Sequence, residues 1–334
     1  MKINHRITLI TVFSSIIIMI LVGLTSIIAS MSVINKEASV NLLLLTQNKA
    51  HMFENEFRQI EVSVEDLADY AEVSFSSEKL NKYGINYIKD YTESLIPLVK
   101  NFVMNTDKVM GCYFNFDPKI IKSNTVYETW VYDKYETGKN FDIVMTEPIS
   151  NYYPVDKPEL EWFYQPKKLG KPMWTNVYSD QDLLVPMISY IRPVYIKNKF
   201  IGTAGMDMSI EKIKKTILDL KVYDTGYAFL LDKNLNTVVH KKYKIGTKLE
   251  WINKTLFNYL KINVIKKPTG LISYHYDGID KVACYKKLDN GLIFLITVPK
   301  AEILRQKLNL QILIIGITLL SIILAILIMM NKKE

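Results

Sequence analysis

Histidine is scarce in this chain, with four in 334 residues: His5, His51, His240 and His275. Scattered in this way they form no HExxH pair or other metal-ligand spacing, so a metal enzyme has no basis. Cysteine is scarcer still. Cys112 and Cys284 stand far apart and outside any CxxC spacing. One distant pair builds no disulfide framework, and both are expected as buried thiols. The chain also lacks a P-loop, a GxGxxG loop and a GxSxG elbow; Gly202 and Gly205 in GTAG read as a tight strand. No enzyme activity and no cofactor are therefore expected. Long basic blocks are missing too, although the net charge is +8. Lysine and arginine are spread as singles and pairs among acids and tyrosines, which fits a solvated surface rather than a nucleic-acid partner.

Charge is absent from two stretches. No charged residue occurs between Arg6 and Lys36, nor between Lys307 and Lys332. Both runs reach the roughly 20 apolar residues that cross a bilayer. Thr318 and Ser321 in the second run can be satisfied within a helix. For the first run a cleaved signal peptide competes, since Ala29 and Ser30 are small. The run exceeds the roughly 7–15 residues of a signal core, which favours an uncleaved anchor. Lys2 and Arg6 precede the first run, and Lys332 and Lys333 follow the second. The positive-inside rule then predicts cytoplasmic termini at 1–6 and 331–334, spans at 7–30 and 308–330, and an external portion over 31–307. The bilayer is thus an expected partner.

Between the spans the period changes twice. Phe53, Phe57, Ile60, Val64, Leu67 and Ala71 alternate by four and three, and neither proline nor glycine interrupts them. This predicts one long helix over 36–75 whose stripe packs on the external domain or on a second copy of the chain. A homodimer is expected, with that stripe as one candidate seam. A second helical passage lies at 95–105. From Met110 strand alternation takes over, and Asp117-Pro118 and Thr137-Gly138 mark turns. Asn198-Lys199 is a predicted hairpin tip, and 209–220 has helical spacing. The strand-and-turn rhythm then restarts, with turns at Asp277-Gly278 and Asn290-Gly291, a buried strand over 292–298, and a short helix over 301–307 that continues into the second span. The fold class is α+β: two lobes in tandem, each with an antiparallel sheet, at about 76–222 and 223–300.

The densest aromatic stretch is WFYQPKKLGKPMWTNVYSD, which brings together Trp162, Phe163, Trp174 and Tyr178 and ends at Asp180. Asp207 follows in GTAGMDMS. Aromatic walls with a few placed carboxylates suit a pocket for a small, cationic ligand. Ordinary core packing is the competing reading for every one of these rings.

WFYQPKKLGKP, WTNVYSD, IRPVYIKNKFIGTAGMDMSIEKI, GYAFLLDKNLNTVVH and LIFLITVPKAEIL, in that order between two apolar runs, resemble the double Cache sensor domain of bacterial transmembrane receptors, the methyl-accepting chemotaxis proteins among them. The resemblance covers about 36–307 and implies two PAS-like lobes, the membrane-distal one holding a small-molecule ligand. Carried over by position, it implies that Trp162 and Phe163 form pocket wall, that Tyr178 and Asp180 lie on its floor, and that Asp207 faces the ligand. Tyr113, Trp130 and Tyr132 are further wall candidates, each equally a core candidate. Amino-acid-binding members carry an arginine two residues before the tryptophan; here Leu160 stands there, between Glu159 and Glu161. With that clamp missing, an amine or other cation is the expected ligand, unless Arg192 substitutes; a surface strand position suits Arg192 better. The resemblance implies a chemoreceptor-type sensor that signals through its second span to a cytoplasmic or membrane partner. The alternatives are the sensory part of a histidine kinase or diguanylate cyclase, and a membrane-tethered solute-binding protein that transmits nothing.

Overall fold

The computed structural model describes residues 3–331 apart from 121–122, 135–139, 156, 158–159 and 180–182. Its first element, α1 (Ile3–Ser74), is a single helix of 72 residues that takes in the first apolar run and the predicted stripe. Phe53, Phe57, Ile60, Val64, Leu67 and Ala71 are all buried, and Leu42, Ala50 and Phe75 extend the stripe in both directions. Each large side chain removed from water in this way contributes about 1.5–3 kcal/mol before entropy is counted. The stripe packs within the chain itself, so it offers no seam to a second copy.

The helix α2 (Ser77–Tyr83) and the helix α3 (Ile85–Asn105) follow. The latter begins ten residues before the predicted 95–105 passage, because Ile88, Tyr91, Leu95, Val99 and Val103 form one buried face that carries it past Pro97. The first sheet then forms from β1 (Val109–Phe116), β2 (Thr125–Tyr132), β3 (Asp142–Pro148), β4 (Met173–Trp174), β5 (Tyr178–Ser179), β6 (Pro186–Ile196) and β7 (Lys199–Ser209). Its order is β3-β2-β1-β7-β6-β4, with β5 also on β6, and every pairing is antiparallel. The β6–β7 hairpin turns at Lys197 and Asn198, both at positive φ, one residue earlier than predicted. Two consecutive left-handed residues match the twist of the flanking strands.

Between β3 and β4 lies α4 (Glu161–Leu169), the helix that carries the aromatic pair Trp162-Phe163. Pro166 inside it weakens the helical signal. Gly170, left-handed at φ 64°, stops it by donating its N–H to Pro166 O. The helix α5 (Ile210–Leu218) then leads to the second lobe. There β8 (Tyr227–Leu231), β9 (Thr237–Val239), β10 (Thr269–Tyr276), β11 (Ile279–Lys287) and β12 (Ile293–Pro299) form a sheet in the order β10-β11-β12-β8-β9. Two helices, α6 (Leu249–Ile252) and α7 (Lys254–Asn263), interrupt it; Asn253 caps the latter by accepting the Leu256 N–H at 2.9 Å. Finally α8 (Lys300–Asn331) runs out through the second apolar run. Among the described residues, no helix is long and apolar enough to cross a membrane.

One core joins α1 to both sheets. Cys112, Phe114, Ala204, Met206 and Ile188 of the first sheet, and Ala228, Cys284, Phe294 and Ile296 of the second, pack with the α1 stripe. Phe53 meets Phe294 with ring centroids 5.5 Å apart, and Phe57 meets Trp174 edge-on at 5.2 Å. Both cysteines are free, and burial pushes both thiols above their ordinary range. Strand alternation then sends every second residue to the opposite face of each sheet, away from α1. Ile60→Ala should cost about 2–5 kcal/mol by opening a cavity in this core. Val62→Ala, on the exposed side of the same turn, should stay within about 0.5 kcal/mol, with urea unfolding reading both.

Candidate ligand-binding site

The face of the first sheet turned away from α1 carries Gly111 and Tyr113 on β1, Trp130 and Tyr132 on β2, Gly205 and Asp207 on β7, and Ser189 on β6. Register brings them together: Gly111 lies opposite both Tyr132 and Asp207, Tyr113 opposite both Trp130 and Gly205, and Ser189 opposite Asp207. Asp207 is 2 % exposed. Its Oδ1 accepts from Ser189 Oγ at 2.6 Å and from Tyr178 OH at 3.4 Å, and the Tyr178 and Ser189 hydroxyls are 2.8 Å apart. A carboxylate withdrawn from water accepts here from two hydroxyls.

The two glycines make room for two donors. A Cβ on Gly205 would stand 2.4 Å from the Tyr113 hydroxyl oxygen, and one on Gly111 would stand 2.8 Å from Trp130 Nε1 and 3.2 Å from Asp207 Oδ2. Both donors are buried without a hydrogen-bond partner among the described residues. Burial, and then the charge of Asp207, push the Tyr113 hydroxyl well above its ordinary range, so it keeps its proton. Buried polar groups are otherwise almost always paired, and two orphaned donors beside a buried carboxylate make this layer the candidate site.

The other candidates fall into distinct layers. Trp162 sets its ring edge-on to Tyr113 at 5.5 Å, and Trp130 stacks on Tyr132 at 4.4 Å. Phe163 is fully buried, wrapped by Tyr152, Trp162, Tyr164 and Phe200, so it supports the Trp162 ring from behind and presents no wall of its own. Trp162 and Tyr178 also line a cavity of about 380 Å³, together with Glu161, Thr175, Asn176, Val177 and Ser179. They thereby connect that cavity to the Asp207 layer beneath. Asp180 lies outside the described residues.

Arg192 is committed elsewhere. Its guanidinium reaches Glu65 at 2.7 Å, Asp69 at 2.6 Å and Glu72 at 3.4 Å, three acids on α1. It sits on the sheet face opposite Asp207 and takes no part in the pocket. Leu160 is buried just ahead of α4. Sequence reasoning missed Ser189, Gly111 and Gly205, since small residues in strands carry no signal until register sets a carboxylate or a ring against them. It also missed a second buried polar cluster on the same face: Tyr152 OH donates to Glu128 at 3.2 Å and lies 3.0 Å from Asn115 Nδ2, which also bonds Glu128.

Two antiparallel sheets in tandem on one helical spine, with a closed polar layer under an aromatic cavity in the first, define a two-lobed small-molecule sensor domain. The family model for the Cache domain, of the dCache type, matches residues 30–306. The chain belongs to that family. Among curated proteins it is similar to the methyl-accepting chemotaxis proteins McpB and McpC of Bacillus subtilis. Identity to McpB is 33 % over 86 residues, covering 25 % of this chain and 12 % of McpB. Identity to McpC is 25 % over 159 residues, covering 46 % of this chain and 24 % of McpC. The match therefore spans a minor part of either relative.

Among solved structures, the extracellular domain of the putative histidine kinase mmHK1S-Z2 aligns with a TM-score of 0.61 at 18 % identity, covering 80 % of this chain and 99 % of that one. The sensory domain of the Campylobacter jejuni chemoreceptor Tlp3 aligns with a TM-score of 0.54 at 15 % identity, covering 82 % and 98 %. The same domain with isoleucine bound aligns at 0.50 and 17 % identity, covering 82 % and 97 %. At these identities the structures establish the fold. Without ligand, Tyr113→Phe should leave stability within about 0.5 kcal/mol of wild type or raise it, because the hydroxyl has no partner to lose. Gly205→Ala, which drives a methyl into Tyr113, should cost about 1–3 kcal/mol in the same urea series.

Proposed function

We propose that this chain is a membrane-anchored, non-catalytic sensor of the chemoreceptor type whose first lobe takes a small amine-bearing molecule against Asp207. What carries the reading is the pairing of a 2 % exposed carboxylate with two orphaned donors, Tyr113 OH and Trp130 Nε1. An amine is drawn to the buried acid, and an acceptor group beside it satisfies the two orphaned donors. An amino acid or amino alcohol fits better than a bare polyamine. Tlp3, whose sensory domain has been solved with isoleucine, is a distant relative in fold. The commitment of Arg192 to α1 leaves an acidic ligand without a cation among the described lining residues, where Glu161 is the charged group.

The anchoring rests on the two uncharged runs. Gly23 of the first packs against Thr318 of the second, and Ile10, Phe13, Leu21, Ile312, Leu320 and Leu324 expose large apolar side chains around that helix pair. A bilayer would cover them. On this reading the helices span at 7–30 and 308–330, and both lobes lie outside the cytoplasm. Ligand binding shifts the population of two arrangements of the lobes and α8, toward a chemotaxis-type output of the kind McpB and McpC are named for. We read the signalling unit as a pair of chains, with a seam away from the buried α1 stripe.

A thermal-shift screen of the full chain in detergent against amino acids, polyamines and dicarboxylates tests the ligand. An amine at a hundred times its Kd should add about 2.7 kcal/mol, and Asp207→Asn should abolish the gain. A dicarboxylate without an amine giving the largest shift would sink the proposal. For topology, Lys254→Cys on α7 should react with an impermeant maleimide in intact cells, since Cys112 and Cys284 are buried and silent. Labelling only after lysis would place the lobes inside.

A further inference from the structure

The second sheet has the same construction as the first, with α1 on one face and an enclosed layer on the other. On that outer face Phe229, Leu231, Tyr274, Tyr276, Tyr285 and Leu295 form a separate core with α6 and α7. At its edge stands Lys281 of β11, opposite Tyr274 and Pro299. Lys281 is 8 % exposed. Its ammonium lies 5.0 Å from the Tyr227 ring centroid and 5.1 Å from that of Tyr276, and it has no ion pair among the described residues.

The nearby acids are occupied. Asp277 pairs with Lys242, Glu302 receives the N–H groups of Asp224 and Thr225, and Asp280 pairs with His275. Aromatic faces offset part of the cost of desolvating an ammonium, but an ion buried without a counter-ion is otherwise rare. Burial accordingly lowers the Lys281 pKa.

His240 shares the Tyr227 wall. It is 9 % exposed, with its ring 5.6 Å from Tyr227, 5.2 Å from Phe229 and 4.9 Å from Tyr243. Burial, then Lys242 and Lys281, push its pKa down to about 4. It is therefore neutral at pH 7, and because Nδ1 accepts the Lys242 N–H at 3.0 Å, its proton sits on Nε2. The Tyr243 and Tyr276 hydroxyls meet at 2.9 Å beside it. The layer thus gathers the Lys281 ammonium, one imidazole N–H and two phenols, with apolar ring faces between them; the Lys242 ammonium, paired with Asp277, lies 5.6 Å from the Tyr276 ring centroid.

We infer that the second lobe holds a ligand site of its own, for a small carboxylate with an apolar body, with Lys281 as the counter-charge. With Lys242 answered by Asp277, the one unpaired cation among the described residues of this layer, Lys281, beside a neutral imidazole and aromatic walls matches a monoanion. A phosphate dianion asks for more positive charge or a cradle of backbone N–H groups, neither of which this layer supplies. The two lobes then present buried charges of opposite sign on corresponding faces, Asp207 in the first and Lys281 in the second. The chain would take an amine at one and an acid at the other. This site stands or falls independently of the first-lobe ligand.

Isothermal titration of the full chain in detergent with sodium acetate, and separately with inorganic phosphate, tests the assignment. Acetate should bind wild type and Asp207→Asn alike, bind Lys281→Met at least tenfold more weakly, and still bind Lys281→Arg. A wild-type measurement keeps the test independent of whether the variants fold: acetate should slow reductive methylation of Lys281, read by peptide mass, and leave exposed Lys254 unaffected. Preferential binding of phosphate overturns the carboxylate class. Absence of acetate binding, equal binding by folded Lys281→Met, or unchanged Lys281 methylation overturns the site.

Discussion

Everything in this molecule hangs on the burial of one helical stripe. From Leu42 to Ala71, α1 gives an apolar edge that Phe75 extends, and one face of each sheet covers it. Neither sheet would keep that face dry alone. A helix–sheet contact of this length stabilises each lobe and fixes its orientation toward the same rod. It also leaves the other face of each sheet turned away from α1.

Those outer faces show what strand alternation can do with buried polarity. In the first sheet, alternate residues of β1, β2, β6 and β7 bring a carboxylate, hydroxyls and an indole into one layer, with Gly111 and Gly205 as the space between them. The same strands offer Cys112, Phe114, Ala204 and Met206 to α1. A one-residue slip would exchange the two sets and bury the acid against the helix. Register is therefore as much a condition of the site as the identity of Asp207.

The strand β6 touches both sides of this arrangement. Ser189 binds Asp207 on the outer face, while Tyr190 and Arg192 bind Glu65, Asp69 and Glu72 on the helix face. Trp174 of the neighbouring β4 adds a 2.8 Å bond to Glu61. Polar contacts on a single strand thus link the pocket to the spine, over a distance of one sheet thickness. Farther along, Glu302 at the start of α8 holds the N–H groups of Asp224 and Thr225 at the entry to the second lobe. Both helices that leave the domain are tied to it by carboxylates at defined positions.

Much of this was legible in the residues themselves. The four-three spacing of Phe53 through Ala71 predicts a long buried helix face because a helix repeats every 3.6 residues, and the turn at Asp277-Gly278 announces its hairpin through backbone chemistry. The order of the aromatic and acidic segments pointed to the family whose model matches residues 30–306. Tertiary structure decided the rest, because it depends on which distant residues meet. The stripe faces its own sheets and not a partner, α4 forms despite Pro166, and Arg192 answers three acids more than a hundred residues earlier. Phe163 lies beneath the site, not in its wall. Ser189 and the two glycines acquire their roles only through cross-strand register, and Lys281 becomes a buried charge only once Tyr227 and Tyr276 close over it. Local periodicity is written along the chain, but the pairing of strands far apart in sequence is fixed only when the core closes.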